Sequence, residues 1–143
     1  MLALKFLDRQ IDCALSSDPG LVELFSHLLQ ETLVYKNVEI ASGLSLVARE
    51  LLMNAAIHGN KRDAEKKIEF TLDMENSRHC TIKVKDEGNG FDYTRLDMSM
   101  PADPRHGRSR GYSIIRSHAS RIEFYDNGSR VVVHLETCAS GIV

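Results

Sequence analysis

The chain has 143 residues, which suits one domain with a single sizeable core. Its composition, 43% hydrophobic and 27% charged, is ordinary for a soluble globular protein, and a net charge of −2 gives no global attraction to nucleic acid or anionic membranes. No apolar run approaches the length of a membrane span, and charged residues from Lys5 onward argue against a signal peptide. Three cysteines without paired spacing fit a reducing cytoplasm and form no zinc motif. We therefore expect one cytoplasmic domain over residues 1–143, with its core in about 9–136 and no direct contact with membrane or nucleic acid.

The first part of the chain is predicted to form a strand and then a helix. Apolar residues at every second position predict a strand over 9–15. In "SSDPG", Ser17 or Asp18 can cap a helix that has Pro19 in its first turn and runs to about Tyr35. The face of this helix that is predicted to be apolar contains Leu21, Leu24, Phe25, Leu28 and Leu29. Val22 and Phe25 suit the core better than a dimer surface, although a homodimer stays an open alternative.

A second helix is predicted from near Asn37 to Gly59, and it carries Glu50, Asn54 and His58 at intervals of four. Helical periodicity places these three side chains near one face, among apolar neighbours rather than on the solvated side. An unpaired carboxylate is costly in such surroundings. The row therefore forms either a satisfied polar network or shallow groove, or the floor of a ligand site, and the row alone does not decide.

The second half of the chain is predicted to contain two hairpins separated by a loop and a helix. "KIEFTLDM" and "HCTIKVKD" alternate around the turn-like "ENSR", and "RIEFYDNGSRVVVHLE" turns at Asn127-Gly128. Residues 93–106 contain two prolines and little periodicity, which predicts a mobile loop, and "HGRSRGYSIIRSHA" predicts a helix after a glycine-rich turn. This order of elements predicts an α+β fold: a two-layer sandwich with helices on one face of a mainly antiparallel mixed sheet.

Two glycine-rich segments, "DEGNG" and "HGRSRG", flank the predicted loop. Each alone can be only a tight turn or a flexible helix entry. Together they favour anion binding, because glycines let backbone amides approach closely and a helix N-terminus adds a favourable dipole. Asp86 can accept a hydrogen bond from a ligand, Asn54 can offer an oxygen to Mg²⁺, and the partly desolvated Glu50 can act as a base.

Three motifs in this order resemble the N, G1 and G2 boxes of the Bergerat ATP-binding fold, which defines the histidine-kinase-like ATPase superfamily. The motifs are Glu50-x-x-x-Asn54-Ala55-Ala56-x-His58-Gly59, Asp86-x-Gly88-x-Gly90-Phe91 and Gly107-Arg108-x-x-Gly111. The short length, "SSDPG" and "NAAIHGN" resemble most closely the anti-sigma-factor serine kinases of that superfamily. The resemblance covers roughly residues 9–136.

The resemblance implies an ATP site with Mg²⁺. Asn54 would hold the metal against the phosphates, Asp86 would bind the exocyclic amine of adenine, and Glu50 would take the proton from a substrate serine. Residues 93–106 would form the ATP lid. Around the base, Gly88 and Gly90 would leave room, and amides of the third motif would contact phosphate. The nucleotide-binding residues implied in this way are Asn54, His58, Asp86, Gly88, Gly90, Gly107, Arg108, Ser109, Arg110 and Gly111.

The third motif departs from the usual Gly-x-Gly-Leu-Gly-Leu pattern, because Ser109 replaces the middle glycine and Arg110 replaces an apolar residue. Ser109 restricts the backbone where a positive φ is sometimes needed, and Arg110 is either a phosphate contact or a solvated charge. For His58, a contact at the pocket edge and a buried hydrogen bond that fixes the helix end are both open.

The function that the resemblance implies is an anti-sigma serine kinase that acts by partner switching. It would bind a sigma factor or another signalling protein in one state and phosphorylate a small anti-anti-sigma-type antagonist domain in another. One alternative is a catalytically weak or inactive interaction module that binds nucleotide poorly or not at all and docks a regulatory partner. The other is a kinase that serves a signalling complex without a sigma factor.

Overall fold

In the residues that the computed structural model describes, 1–76, 78–96 and 107–136, the chain forms six strands and three α-helices. The strands are β1 (Leu2–Phe6), β2 (Gln10–Ser16), β3 (Lys67–Asn76), β4 (His79–Lys85), β5 (Arg121–Tyr125) and β6 (Arg130–Glu136). The helices are α1 (Pro19–Tyr35), α2 (Ala41–Met53) and α3 (Gly107–His118). A π-helical turn, Asn54–Gly59, continues α2, and short 3₁₀ turns lie at Tyr93–Arg95 and Asp126–Gly128.

The strands form one sheet in the order β1-β2-β3-β4-β6-β5, and each of these neighbouring pairs is antiparallel. Direct pairing places Phe70 beside Cys13, and Ile82 beside both Leu72 and Val133. Because side chains alternate along a strand, these buried residues share one face, which the helices cover. The predicted α+β two-layer sandwich is confirmed, with a sheet that is antiparallel throughout these pairs rather than mixed.

Strand β1 is an edge strand that the sequence analysis did not predict. It pairs with β2, with Leu4 opposite Cys13 and Phe6 opposite Ile11. A weak signal was present, since large apolar residues at positions 2, 4 and 6 alternate with the small Ala3 and the charged Lys5. The strand is short and largely exposed, as is common at the edge of a sheet.

Helix α1 begins as predicted, with Asp18 at its N-cap and Pro19 as its first residue. The Asp18 carboxylate accepts a hydrogen bond from the amide of Gly20 at 2.8 Å and so satisfies one of the free donors at the helix start. The helix ends at Tyr35, where the sequence analysis also placed its end.

The buried face of α1 matches the predicted one only in part: Phe25 and Leu29 are buried as predicted. Leu24 and Leu28 are 48% and 40% exposed, whereas Val22 and Leu33 are fully buried. Helix α1 carries more apolar residues than one face can bury, so composition did not fix which flank faces the core. The flank that carries Glu23 is held against α2, which turns Leu24 and Leu28 outward. Val22 itself belongs to the core rather than to a dimer surface.

Helix α2 begins at Ala41, four residues later than predicted, because Asn37 adopts a left-handed conformation with φ of 56° that breaks the helical path after α1. The helical segment ends as predicted at Gly59, but α2 itself stops at Met53 and the last six residues form the π-helical turn. Such turns widen the helix locally and are frequent at functional sites.

The cysteines behave as small apolar residues where the structure describes them. Cys13 and Cys80 are buried free thiols, and burial raises the pKa of Cys13 to about 12 and that of Cys80 to about 11. Cys138 lies outside the described residues. Among the described helices, none combines the length and the apolar character that crossing a membrane requires.

Candidate functional site

An open cleft of about 530 Å³ lies between α2, its π-helical turn and the first turns of α3. Glu50, Asn54 and His58 all line this cleft, so the predicted polar row forms one of its walls. The opposite wall comes from α3. Besides the polar row, the lining residues are Pro19, Arg49, Met53, Ile57, Arg110, Gly111 and Ile114. The wall that holds a carboxylate and an amide therefore faces the N-terminal end of a helix.

Glu50 is a partly buried carboxylate whose side chain is 17% exposed. Its Oε1 accepts a hydrogen bond from Nη1 of Arg49 at 3.3 Å. Arg49 also donates from Nε to Oε1 of Glu23 on α1 at 3.0 Å, and hydrogen bonding to Glu23 raises the pKa of the Arg49 guanidinium. Arg49 thus ties the cleft carboxylate to the neighbouring helix and limits its freedom.

Asn54 is the first residue of the π-helical turn and is only 8% exposed. Within the described part of the chain, its Nδ2 is buried without a hydrogen-bond partner, which is costly unless a ligand or solvent satisfies it. A Cβ placed on Gly111 would lie 3.1 Å from this Nδ2 and 3.2 Å from Oε2 of Glu50. The glycine therefore lets α3 approach both cleft side chains closely.

His58 is exposed at the end of the π-helical turn and lines the cleft. This exposure contradicts the alternative in which His58 is a buried residue that fixes the helix end. Partial desolvation lowers the pKa of its imidazole, and the positive charges of Arg108 and Arg62 lower it further. His58 is therefore predominantly neutral near neutral pH.

Asn60 performs the structural role that was considered for His58. It is fully buried, and its Nδ2 donates to Oγ of Ser17 at 2.7 Å and to the carbonyl of Lys67 at 3.0 Å. Its Oδ1 accepts from the amide of Glu87 at 2.7 Å. One side chain thus joins the end of the π-helical turn to the residue after β2, to β3 and to the segment after β4. The sequence motifs did not single out this residue; the signal was an asparagine directly after the glycine that ends the helical segment.

Asp86 directly follows β4 and is 9% exposed. Its Oδ1 accepts a hydrogen bond from the amide of Gly88 at 2.8 Å. Burial raises the pKa of the carboxyl, while this hydrogen bond and the charges of Arg108 and Lys66 act in the opposite direction. A Cβ on Gly59 would lie 2.2 Å from Oδ2, so only glycine can end the π-helical turn beside Asp86.

Positions 88 and 90 require glycine because the backbone of another segment passes too close to each of them to leave room for a Cβ. A Cβ on Gly88 would lie 2.2 Å from the carbonyl oxygen of Gly59. Gly90 has φ of 80°, and a Cβ there would lie 2.2 Å from the carbonyl oxygen of Asn127. These contacts give both glycines a packing reason, and their role in leaving room for a base stays a prediction.

The third motif lies entirely within α3, which begins at Gly107 rather than after a glycine-rich turn. The backbone of Ser109 is helical here, so a positive φ is not needed at that position. Arg110 is exposed and lines the open cleft, whereas Arg108 points to the opposite side, toward Asp86. Of the predicted lid, residues 93–96 are described and residues 97–106 lie outside the described residues.

The side chain of Arg108 fills the space beside Asp86. Its guanidinium carbon lies 3.9 Å from the centre of the Phe91 ring, and burial lowers the pKa of the guanidinium. Only about 10 Å³ of empty space remains between Asn54, Asp86, Phe91 and Arg108, which is room for about one water molecule. The site thus has an open half at Glu50 and Asn54 and a closed half at Asp86.

The polar row facing a helix N-terminus, with a buried aspartate after a central strand, is the arrangement expected of a nucleotide-binding α+β domain. The chain belongs to the family described as histidine kinase-like ATPase domains, whose family model matches residues 15–135. Membership indicates an ATP-binding domain with a regulatory role. No relative was found among curated proteins.

Proposed function

We propose that the chain is an ATP-dependent protein-serine kinase of the anti-sigma type. It would phosphorylate a serine on a small antagonist domain, and in its other state it would bind a sigma factor or another signalling protein. The observation that carries this proposal is the position of Glu50 and Asn54, one helical turn apart on the wall of an open cleft that faces the start of α3.

The open half of the site suits the phosphate chain of ATP. Its volume of about 530 Å³ falls within the usual range for small-molecule sites. The N-terminal end of α3 favours negative charge, and the exposed Arg110 adds a planar cation on the same wall.

Asn54 fits a role beside a phosphate-bound Mg²⁺. Within the described residues, no group of three or more His, Cys, Asp or Glu side chains is placed to hold a metal. Mg²⁺ at nucleotide sites instead keeps several waters and shares ligands with phosphate, so one neutral oxygen from Asn54 is a sufficient protein contribution. When bound, the metal neutralises charge on the phosphates. The Asn54 side chain is buried in the cleft wall, and its Oδ1 is the atom that would ligate the metal, since Nδ2 is a hydrogen-bond donor.

Glu50 suits the role of general base. It reaches the same cleft as Asn54, and Arg49 holds its Oε1 while Oε2 lies on the side of Gly111. A serine hydroxyl that enters the cleft from solvent would give its proton to this carboxylate. Phosphoryl transfer needs mostly positioning and charge neutralisation, so this small set of groups is adequate.

The test compares Glu50→Gln with Asn54→Ala, using ATP, Mg²⁺ and candidate antagonist domains. Glu50→Gln keeps size and hydrogen bonding but cannot take a proton, so it should bind ATP like the parent and lose about 10²-fold or more in serine phosphorylation. Asn54→Ala should lose both. Exposed Glu31 on α1 provides the matched control, Glu31→Gln, which should change neither. ATP affinity is measured by calorimetry and phosphoserine by mass spectrometry.

Full phosphorylation by Glu50→Gln would remove Glu50 from the role of base. Absent or very weak ATP binding by the parent, without phosphorylation of any domain tested, would favour the second candidate, an interaction module that docks a regulatory partner. A specific observation favours that candidate: Arg108 fills the half of the site that adenine would need. In that case, Glu50→Gln should leave partner binding unchanged.

A further inference from the structure

Arg108 lies in the closed half of the site in the manner of a bound ligand. Its guanidinium is stacked over Phe91 at 3.9 Å, and its charge acts on the carboxyl of Asp86. Tyr112, 2% exposed, lines the same cavity beside the Phe91 ring, with the two ring centres 6.1 Å apart. The pocket therefore has an aromatic wall and a buried carboxylate, and an internal side chain occupies the space between them.

The chemistry of the guanidinium resembles that of the edge of an adenine ring. Both are planar, both can stack on an aromatic face, and both present N–H donors in their plane. A wall that accepts a flat donor next to a carboxylate can therefore accept either group. The remaining space of about 10 Å³ is far too small for both at once.

While the Arg108 side chain occupies the pocket, two buried hydrogen-bond donors there have no partner among the described residues. Within the described residues, Nε of Arg108 and Nδ2 of Asn54 are both buried without a hydrogen-bond partner, and both residues line the small cavity. Unpaired buried donors cost free energy, so the closed arrangement is only weakly held. Arg108 is the second residue of α3 and is only partly buried, so its long side chain has a route out of the cavity.

We propose that Arg108 is an internal plug of the base site, and that a nucleotide must displace its side chain before adenine can reach Asp86. This inference rests on the proposed nucleotide function. It makes Arg108 a determinant of affinity for the base, and it distinguishes the residue from Arg110, which lines the open half. The apparent affinity for the base then equals the intrinsic affinity multiplied by the fraction of molecules in which Arg108 has moved out.

The test is calorimetric titration of the parent and Arg108→Ala with three probes: adenosine, inorganic tripolyphosphate, and ATP with Mg²⁺. Arg108→Ala should bind adenosine about tenfold or more tightly than the parent, as expected when the open state is a minor one. Affinity for tripolyphosphate, which does not need the base site, should stay within about twofold. Arg116→Ala is the matched control, since Arg116 is an exposed arginine on the same helix, and it should behave like the parent.

Arg108→Lys keeps the charge and the long stem but loses the planar group over Phe91, so it should show a smaller gain for adenosine. This variant also serves if Arg108→Ala fails to fold. Weaker binding of tripolyphosphate or ATP by Arg108→Ala would overturn the proposal, because it would make Arg108 a phosphate ligand. Unchanged adenosine binding, or none in any variant, would also overturn it.

These results separate the plug from the kinase proposal. A gain in adenosine affinity without serine phosphorylation would support the plug while the kinase activity fails. Tight ATP binding and phosphorylation by the parent, both lost in Arg108→Ala, would support the kinase and overturn the plug.

Discussion

At the scale of single residues, the surroundings of Asp86 shift the pKa of its carboxyl in opposite directions. Burial raises its pKa from the ordinary 3.8, while a hydrogen bond from Gly88 and the charge of Arg108 partly compensate. A carboxyl with a raised pKa in the folded state contributes stability below its unfolded pKa, and that contribution is lost as pH rises through the folded pKa. The charged form at neutral pH is therefore a cost to the fold.

Asp86→Asn should remove that cost, since an amide is neutral at every pH and can still accept from Gly88. The free energy of unfolding of the variant relative to the parent should therefore rise between about pH 4 and about pH 7. Urea denaturation at both pH values checks this, with Asp8→Asn, at an exposed aspartate, as the control. A difference that is constant with pH would show that ionisation of Asp86 does not limit stability.

The same substitution has a second consequence for the proposed nucleotide site. Asp86→Asn should weaken adenine nucleotides more than guanine nucleotides, because it removes the charge that strengthens a hydrogen bond from the adenine amine. Competitive titration with ATP and GTP measures the ratio. Equal losses for both nucleotides would assign Asp86 a structural role only, in holding Gly88 and the end of the π-helical turn.

The sequence predicted the positions of the polar side chains better than their directions. Helical spacing was sufficient to bring Glu50 and Asn54 to one wall. It was not sufficient for Arg108 and Arg110, which lie two residues apart on α3 and point into different halves of the site. Which way a long cationic side chain turns depends on what is packed against it, here the ring of Phe91, and a sequence pattern does not contain that contact.

At the scale of elements, the junction after the π-helical turn depends on Asn60. Its buried side chain makes three hydrogen bonds to three separate segments, one of them fully buried and two partly buried. Asn60→Ala should lower the free energy of unfolding by about 3 kcal/mol, since several buried groups lose their partner at once. Urea denaturation measures this loss. Asn76→Ala, at an exposed asparagine that accepts from the amide of Arg78, should cost much less.

If Asn60→Ala and Asn76→Ala cost the same, the junction contributes little and the π-helical turn is held by α2 and its apolar contacts instead. The nucleotide affinity of Asn60→Ala provides a second, independent test of the junction. Because Gly59 packs directly on Asp86, loosening the turn should also weaken binding at that carboxylate.

Elements with strong local signals were predictable from the sequence, and those that depend on tertiary packing were not. The cap at Asp18 and the turn at Asn127 follow from local chemistry and are observed. The buried face of α1 depends on how α2 packs, through contacts such as that of Arg49 with Glu23. The π-helical turn depends on a close approach to Asp86 that only the complete sheet provides.

At the scale of the whole molecule, the fold brings together side chains that are distant in the sequence. Asp86 directly follows the central strand β4, whereas Asn54 and Arg108 come from the layer of helices. All three line the same small cavity. The order of predicted elements was enough to identify this two-layer architecture, because hairpins and intervening helices leave few other arrangements. The closed state of the half beside Asp86 is a property of packing between the two layers, and the order of elements contains no information about it.

Nucleotide binding should therefore be visible as a change in the stability of the whole domain. A ligand that binds only the folded state at 100 times its dissociation constant adds about 2.7 kcal/mol, which corresponds to a rise of about 5–10 °C in Tm for a domain near this size. ATP with Mg²⁺ should produce this rise in the parent, and Asn54→Ala should abolish most of it. Scanning calorimetry at increasing nucleotide concentration gives the measurement, with an equal concentration of inorganic phosphate as the control for ionic effects. An unchanged Tm at millimolar nucleotide would argue against binding, because mass action leaves no route by which a ligand specific for the folded state fails to stabilise it.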